Sequence, residues 1–167
     1  MYYINYFFLY SLIGHLLESS LYFILNKNGS SGYLFGPWTP VYGFGIIIIL
    51  LLYKFISNHI KKSKFLQLVA LFFFSAICLS AIEGLGGFLI EKVFHYTCWN
   101  YSKLSFNIGK YIALELALVW GLLSIFFIVF LKKVSDYIVQ RIPKYITYSL
   151  ILVFIIDNVL TIISKLK

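Results

Sequence analysis

Only six acidic residues occur in this 167-residue chain, and their positions are its most informative feature. Glu18, Glu83, Glu91, Glu115 and Asp157 fall inside or at the rims of long apolar stretches, and Asp136 alone is expected in a polar loop. A carboxylate in a bilayer costs on the order of 3 kcal/mol unless it is paired, protonated or wetted. Groups retained at that cost are candidates for proton exchange or for binding a cationic or hydrogen-bonding solute.

Their spacing places them on helical faces. Ser11, His15, Glu18 and Tyr22 recur at offsets that make one stripe. Ala76, Ser80, Glu83 and Gly87 repeat those offsets, and Glu91 lies one turn further on. Asp157, Thr161 and Ser164 form a shorter stripe. Small residues beside a carboxylate allow close helix approach, and the run "EGLGG" (Glu83–Gly87) is expected to loosen its helix, as in transporter binding sites. The stripes are expected to face one another around a polar pocket. Glu18 and Glu83, deepest along their helices, are the candidates for exchanging a proton.

Two unusual loops accompany them. "GYLFGPWTPVYGFG" (Gly32–Gly45) is apolar, aromatic and uncharged, with Gly36, Pro37, Pro40, Tyr42 and Gly43 as its bend-setting and packing residues. The second, His95–Tyr111, holds Trp99, Asn100, Tyr101 and Asn107, candidate solute-binding or proton-coupling groups together with Glu18, Glu83, Glu91 and Glu115. Irregular backbone at membrane depth survives only where protein or water satisfies it. The first loop is therefore expected either to dip toward the carboxylates as a lid or to lie flat as an interfacial aromatic belt.

The elements that must position these groups follow from composition. Apolar residues make up 61% of the chain and charged residues only 12%, with a mean hydropathy of +0.90. Soluble domains carry about 25% charge, so the main solvent here is lipid. Segments of roughly 20 apolar residues can cross a bilayer, and five occur, at about 3–25, 41–57, 65–94, 111–131 and 145–163. The predicted fold is all-α, a polytopic transmembrane bundle in one integral membrane domain spanning 1–167. Spans 1–2 and 3–4 could repeat as parallel hairpins, with span 5 added. The long third span is expected to tilt, break or extend beyond the hydrocarbon. With five crossings, the five carboxylates lie toward one leaflet. Tyr2, Tyr3 and Tyr6–Phe8 read as interfacial anchors, and Phe72–Phe74 as lipid-facing bulk. The first segment lacks a basic start and a cleavage site, so it reads as a retained helix. Eight lysines and arginines on the amino-terminal side against six on the other favour a cytoplasmic amino terminus in a plasma or inner membrane.

Other chemistries fit less well. The net charge of +8 does not indicate nucleic-acid binding, because the lysines sit in short clusters between apolar runs. His15 with Glu18, and Glu91 with His95, have metal-compatible spacing, but no second histidine reinforces either pair, so no metal or other cofactor is expected. No Gly-x-Ser-x-Gly or His-Glu-x-x-His motif assembles a catalytic site, so no catalytic residue is assigned and an intramembrane enzyme is a lesser alternative. Cys78 and Cys98, separated by close to 30 Å along a helix, read as unpaired thiols.

The pieces "GYLFGPWTPVYG" (Gly32–Gly43), "EKVF" (Glu91–Phe94), "WNYS" (Trp99–Ser102), "FNIGKYI" (Phe106–Ile112) and "WG" (Trp120–Gly121) resemble motifs of a family of small bacterial membrane proteins labelled putative type IV ABC-transporter permeases. The resemblance covers about residues 8–122 and implies a polytopic bacterial inner-membrane protein. Asn100 stands where the family has aspartate, Lys110 where arginine is expected, and His15 where an aromatic is commoner. No G-x-x-x-x-G-K-[ST] phosphate loop occurs, so an ATP-driven pump would need a partner ATPase. The leading reading is a small transporter or permease component whose acidic, aromatic pocket is expected to open toward the outer leaflet and to suit a small, cationic or hydrogen-bonding solute. The alternative is a non-transporting membrane subunit or scaffold whose carboxylates accept loop N–H groups and pair with Lys92, Lys103 or Lys110. A homodimer and a partner membrane or ATPase subunit are both compatible with the size of the chain.

Overall fold

The computed structural model describes residues 1–24 and 34–165; Gly32, Tyr33 and Lys27 of the first loop lie outside the described residues. The fold is all-α apart from one small hairpin. Its elements are α1 (Tyr2–Ile24), α2 (Pro40–His59), α3 (Lys64–Phe94), β1 (Asn107–Ile108), β2 (Ile112–Ala113), α4 (Leu114–Phe126), a π-helical turn (Phe127–Leu131), α5 (Lys132–Arg141) and α6 (Lys144–Lys165). Among the described residues, five helices are long and apolar enough to cross a membrane: α1, α2, α3, the continuous run Leu114–Arg141, and Lys144–Ser164. The chain forms two compact units, Met1–Ile46 with Ser135–Lys167, and Ile47–Val134.

Local chemistry sets the boundaries. Pro40 opens α2, where its missing N–H would have had no helical partner. Ser63 caps α3 by accepting from the Leu66 N–H at 3.3 Å. His95 ends the same helix in the left-handed region at φ 52°. Between these ends α3 runs 31 residues without interruption. "EGLGG" therefore does not break it; Gly84 and Gly87 instead receive Ile112 and Tyr111 against the helix surface. The fourth span also departs from expectation. The Lys132 N–H bonds back to Phe127 O, five residues earlier, and the helix continues through a π-helical turn into α5. Asp136 thus sits on a helix rather than in a loop. The segment is amphipathic, with Ser135 and Val139 buried on one face and Lys133, Gln140 and Arg141 exposed, and Pro143 then ends the run.

In the first unit, Tyr2, Tyr6 and Tyr10 lie one turn apart on α1 and meet α5. Tyr2 and Tyr6 donate to Asp136 Oδ1 at 2.5 and 2.8 Å, and Tyr10 pairs with Ser135 Oγ at 2.7 Å. Asn5, buried, donates to Val139 O at 2.9 Å and accepts from Thr147 Oγ1 at 2.6 Å. Phe7, Phe8, Trp38 and Phe154 pack edge to face beside them. The interfacial reading of Tyr6–Phe8 is therefore replaced, because all three are buried in this core. Their aromatic bulk fills space between α1, α6 and the chain entering α2, which periodicity alone does not reveal.

In the second unit α3 packs along α4. The α-carbon of Gly121 lies so close to α3 that an added Cβ would fall 2.7 Å from the Phe72 ring and 2.9 Å from Phe72 O. Phe72 is thus a packing residue, whereas Phe73 and Phe74 remain exposed, as expected of lipid-facing bulk.

The Asn5 network yields a stability test. Thr147→Val should strand the buried Asn5 carbonyl and lower unfolding free energy by about 1–3 kcal/mol, while Thr147→Ser loses less. Thermal unfolding of the detergent-purified protein measures both; equal stability of Val and wild type would contradict the assignment.

Candidate functional site

The second unit gathers most of the candidate residues beneath the segment His95–Ala113. Glu83, Gly87 and Glu91 are spaced at four-residue intervals on α3, so they form one stripe. Over that stripe the chain folds into a cap. β1 and β2 pair antiparallel, Asn107 opposite Ala113 and Ile108 opposite Ile112. Gly109 makes the turn at φ 67°, a conformation that few other residues adopt without strain. Tyr101 N–H bonds to Lys110 O at 2.8 Å and ties the earlier part of the cap to this hairpin.

The cap directs donors onto α3. Glu83 is buried at 7% exposure; Oε1 accepts from the Tyr101 hydroxyl at 2.6 Å and Oε2 from the Trp120 indole N–H at 2.9 Å. Both carboxylate oxygens are therefore met, each by a neutral donor. Glu91 is held differently. It forms a salt bridge with Lys110, accepts from the Tyr111 hydroxyl, and receives the Thr97 hydroxyl at 3.4 Å. Lys110 also donates to Thr97 Oγ1 at 3.1 Å.

Glu91 raises the Lys110 ammonium above the ordinary lysine value, chiefly by accepting its hydrogen bond. Desolvation, then the acceptor Glu91, raises the Tyr111 phenol. A lysine raised in this way contributes stability that is complete below its ordinary value and is lost as pH rises through the raised one. The clamp on Glu91 is accordingly intact at neutral pH and loosens as pH rises into alkali.

Glu115 opens α4. Its Oε1 accepts the Phe106 N–H at 3.2 Å, and its enclosed Oε2 has no partner among the described residues. The same holds for Trp99 Nε1, whose ring packs edge to face on Tyr111 at 6.1 Å. Asn100 and Asn107 serve the cap itself. Asn100 Oδ1 accepts the Ser102 N–H at 2.9 Å, and Asn107 Nδ2 donates to Ser102 O at 3.1 Å and Leu104 O at 2.7 Å.

The first unit carries the other constellation. Gly36 N–H donates to Asp157 Oδ2 at 3.1 Å and Phe35 N–H to Thr161 Oγ1 at 3.4 Å. The Asp157–Thr161 stripe of α6 thus receives the backbone of the first loop. Pro37 is exposed and Trp38 is buried against Phe8 and Phe154. Glu18 bonds to Tyr42, whose ring covers Gly14, and Gly43 lies against Phe7 and Ser11.

Trp120, Tyr111 and Thr97 were not among the residues singled out as site groups from the sequence. One signal was available: an indole or phenol in an apolar helix needs an acceptor, and so few acceptors exist here that Trp120 had to find a carboxylate or a backbone carbonyl. Among the described residues no three His, Cys, Asp or Glu side chains gather as a metal site.

Among the described residues, five helices of membrane-crossing length, four of them bearing hydrogen-bonded carboxylates, mark a multi-pass membrane protein. The family model described as "Putative ABC-transporter type IV" matches residues 5–162, and the chain belongs to that family. No curated protein and no solved structure matches it.

The cap geometry separates two neighbouring glycines. A Cβ at Gly87 would fall 2.5 Å from the Tyr111 ring, whereas nothing lies within 4 Å of one at Gly86. Gly87→Ala should destabilise by about 1–3 kcal/mol, and Gly86→Ala should be neutral or stabilising by up to about 1 kcal/mol. Melting temperatures of the two variants check this; a reversed order would contradict the seating of Tyr111 on α3.

Proposed function

We propose that this protein is a membrane-embedded transporter component in which Glu83 is the solute- or proton-handling group and Glu91 is a structural clamp. One observation carries the division. Glu83 is buried and meets only the neutral donors Tyr101 and Trp120 within the unit, whereas Glu91 has the cation Lys110. An anion held at membrane depth by neutral donors keeps an uncompensated charge, and a proton or a cationic solute relieves it. Trp99 and Glu115, each with an enclosed polar atom free of partners among the described residues, supply further donor and acceptor capacity for such a guest. In the first unit Glu18, with Tyr42 as its partner, is the corresponding candidate.

No catalytic step is assigned, and ATP-driven action requires a separate ATPase subunit. The excess of basic residues around the α2–α3 turn and α5 supports a cytoplasmic placement for those segments, and for the amino terminus on the same side.

The alternative, a scaffold subunit with purely structural carboxylates, draws on Glu91 and on the Phe106–Glu115 bond. Glu83→Gln and Glu91→Gln distinguish the two readings. In the transporter reading Glu83→Gln accumulates and melts as wild type but loses the pH- or cation-dependent thermal shift of the purified protein, while Glu91→Gln melts lower. If Glu83→Gln lowers the melting temperature as Glu91→Gln does and leaves those shifts unchanged, the scaffold reading stands. An ATPase copurifying from native membranes would establish the pump form.

A further inference from the structure

The turn between α2 and α3 carries a feature that the carboxylate chemistry does not use. His59, Ile60, Lys61, Lys62 and Leu66 line an open cleft of about 380 Å³. Lys61, Lys62 and Lys64 are all exposed. The sequence holds no acidic residue between Glu18 and Glu83, so the second unit offers these lysines no carboxylate on α2, on the turn or on the first half of α3. The amino terminus of α3 adds its partial positive charge at Lys64.

The turn holds its shape through internal bonds. Gln67 Nε2 donates to Ile60 O at 2.6 Å, Ile60 N–H to Ile56 O at 2.8 Å, and Gln67 N–H to Ser63 O at 3.1 Å. His59 Nδ1 lies 2.8 Å from Phe55 O, an acceptor only, so this nitrogen carries the proton and the ring is fixed over Phe55.

The surface leading to the cleft is apolar. Leu51, Phe55 and His59 recur every four residues on α2 and are all exposed, and Phe65 and Leu66 are exposed at the start of α3. Both helices are of membrane-crossing length, so their connection falls where hydrocarbon gives way to headgroups. A basic cleft on top of an exposed apolar strip matches one amphiphile: phosphate above, acyl chain below. A soluble acidic protein would match the lysines and leave Leu51 and Phe55 unaddressed.

We infer that the His59–Leu66 cleft is a binding site for an anionic phospholipid, with its phosphate on Lys61, Lys62 and Lys64 and an acyl chain along Leu51, Phe55 and Leu66. Such a lipid would anchor the α2–α3 turn at the headgroup layer and make the second unit sensitive to lipid composition. The inference does not depend on the role proposed for Glu83.

Native mass spectrometry of the detergent-purified full chain, titrated with phosphatidylglycerol or phosphatidylcholine of the same acyl chains, tests it. Wild type should retain the anionic lipid preferentially. Lys61→Gln, Lys62→Gln and Lys64→Gln should each reduce that preference about fivefold, with unchanged melting temperature. Lys132→Gln/Lys133→Gln should leave it intact. Inorganic phosphate at equal concentration should not displace the lipid. Equal retention of the two lipids, an unchanged preference in the cleft variants, or displacement by inorganic phosphate alone would each overturn the proposal.

Discussion

A negative charge in a low-dielectric medium has to be met by donors, and much of this structure is arranged around that requirement. The chain retains few acidic side chains, nearly all within apolar segments. Each carboxylate in or beside a spanning helix recruits a definite partner: an indole and a phenol at Glu83, an ammonium at Glu91, backbone N–H groups at Glu115 and Asp157. The same need reaches Asp136, where two tyrosines of α1 converge on one oxygen. Without these partners the desolvation cost would expel the groups or neutralise them.

The loops supply many of these donors. Their richness in tyrosine, tryptophan and glycine, unusual for surface segments, follows from this task. Aromatic residues bury area in lipid-like surroundings while presenting one N–H or O–H. Glycines let a ring seat directly on a helix, as Tyr111 does at Gly87. The β1–β2 hairpin puts Lys110 and Tyr111 side by side at its turn, so that both reach Glu91. The neutral donors on Glu83 and the cation on Glu91 make two carboxylates of one stripe chemically different. That difference underlies the separate roles proposed for them.

The π-helical turn at Phe127–Leu131 carries the fourth span on into α5. Inserting one residue into the helical ladder changes which face follows it. Within the first unit, α5 presents Ser135 and Val139 to Tyr10 and Asn5.

Much of this was legible in residue order. Composition and run length alone determine an all-α chain with five membrane-length helices, because lipid leaves the backbone no other solution. Helical periodicity likewise places Glu83, Gly87 and Glu91 on one stripe, and Asp157 with Thr161 on another. The motifs around Gly36–Gly43 and Trp99–Ile112 pointed to the family. Partner choice was not legible. Nothing in spacing says that Trp120 reaches Glu83, that Lys110 rather than Lys92 or Lys103 takes Glu91, or that Asn100 and Asn107 bond within their own loop. Nor does the pattern reveal that α3 passes unbroken through Glu83–Gly87, or that Asp136 rides on a helix. Periodicity reports only which face of its own helix a side chain occupies, a local property. Which donor arrives at that face depends on where segments distant in sequence come to rest, and only the tertiary structure decides it.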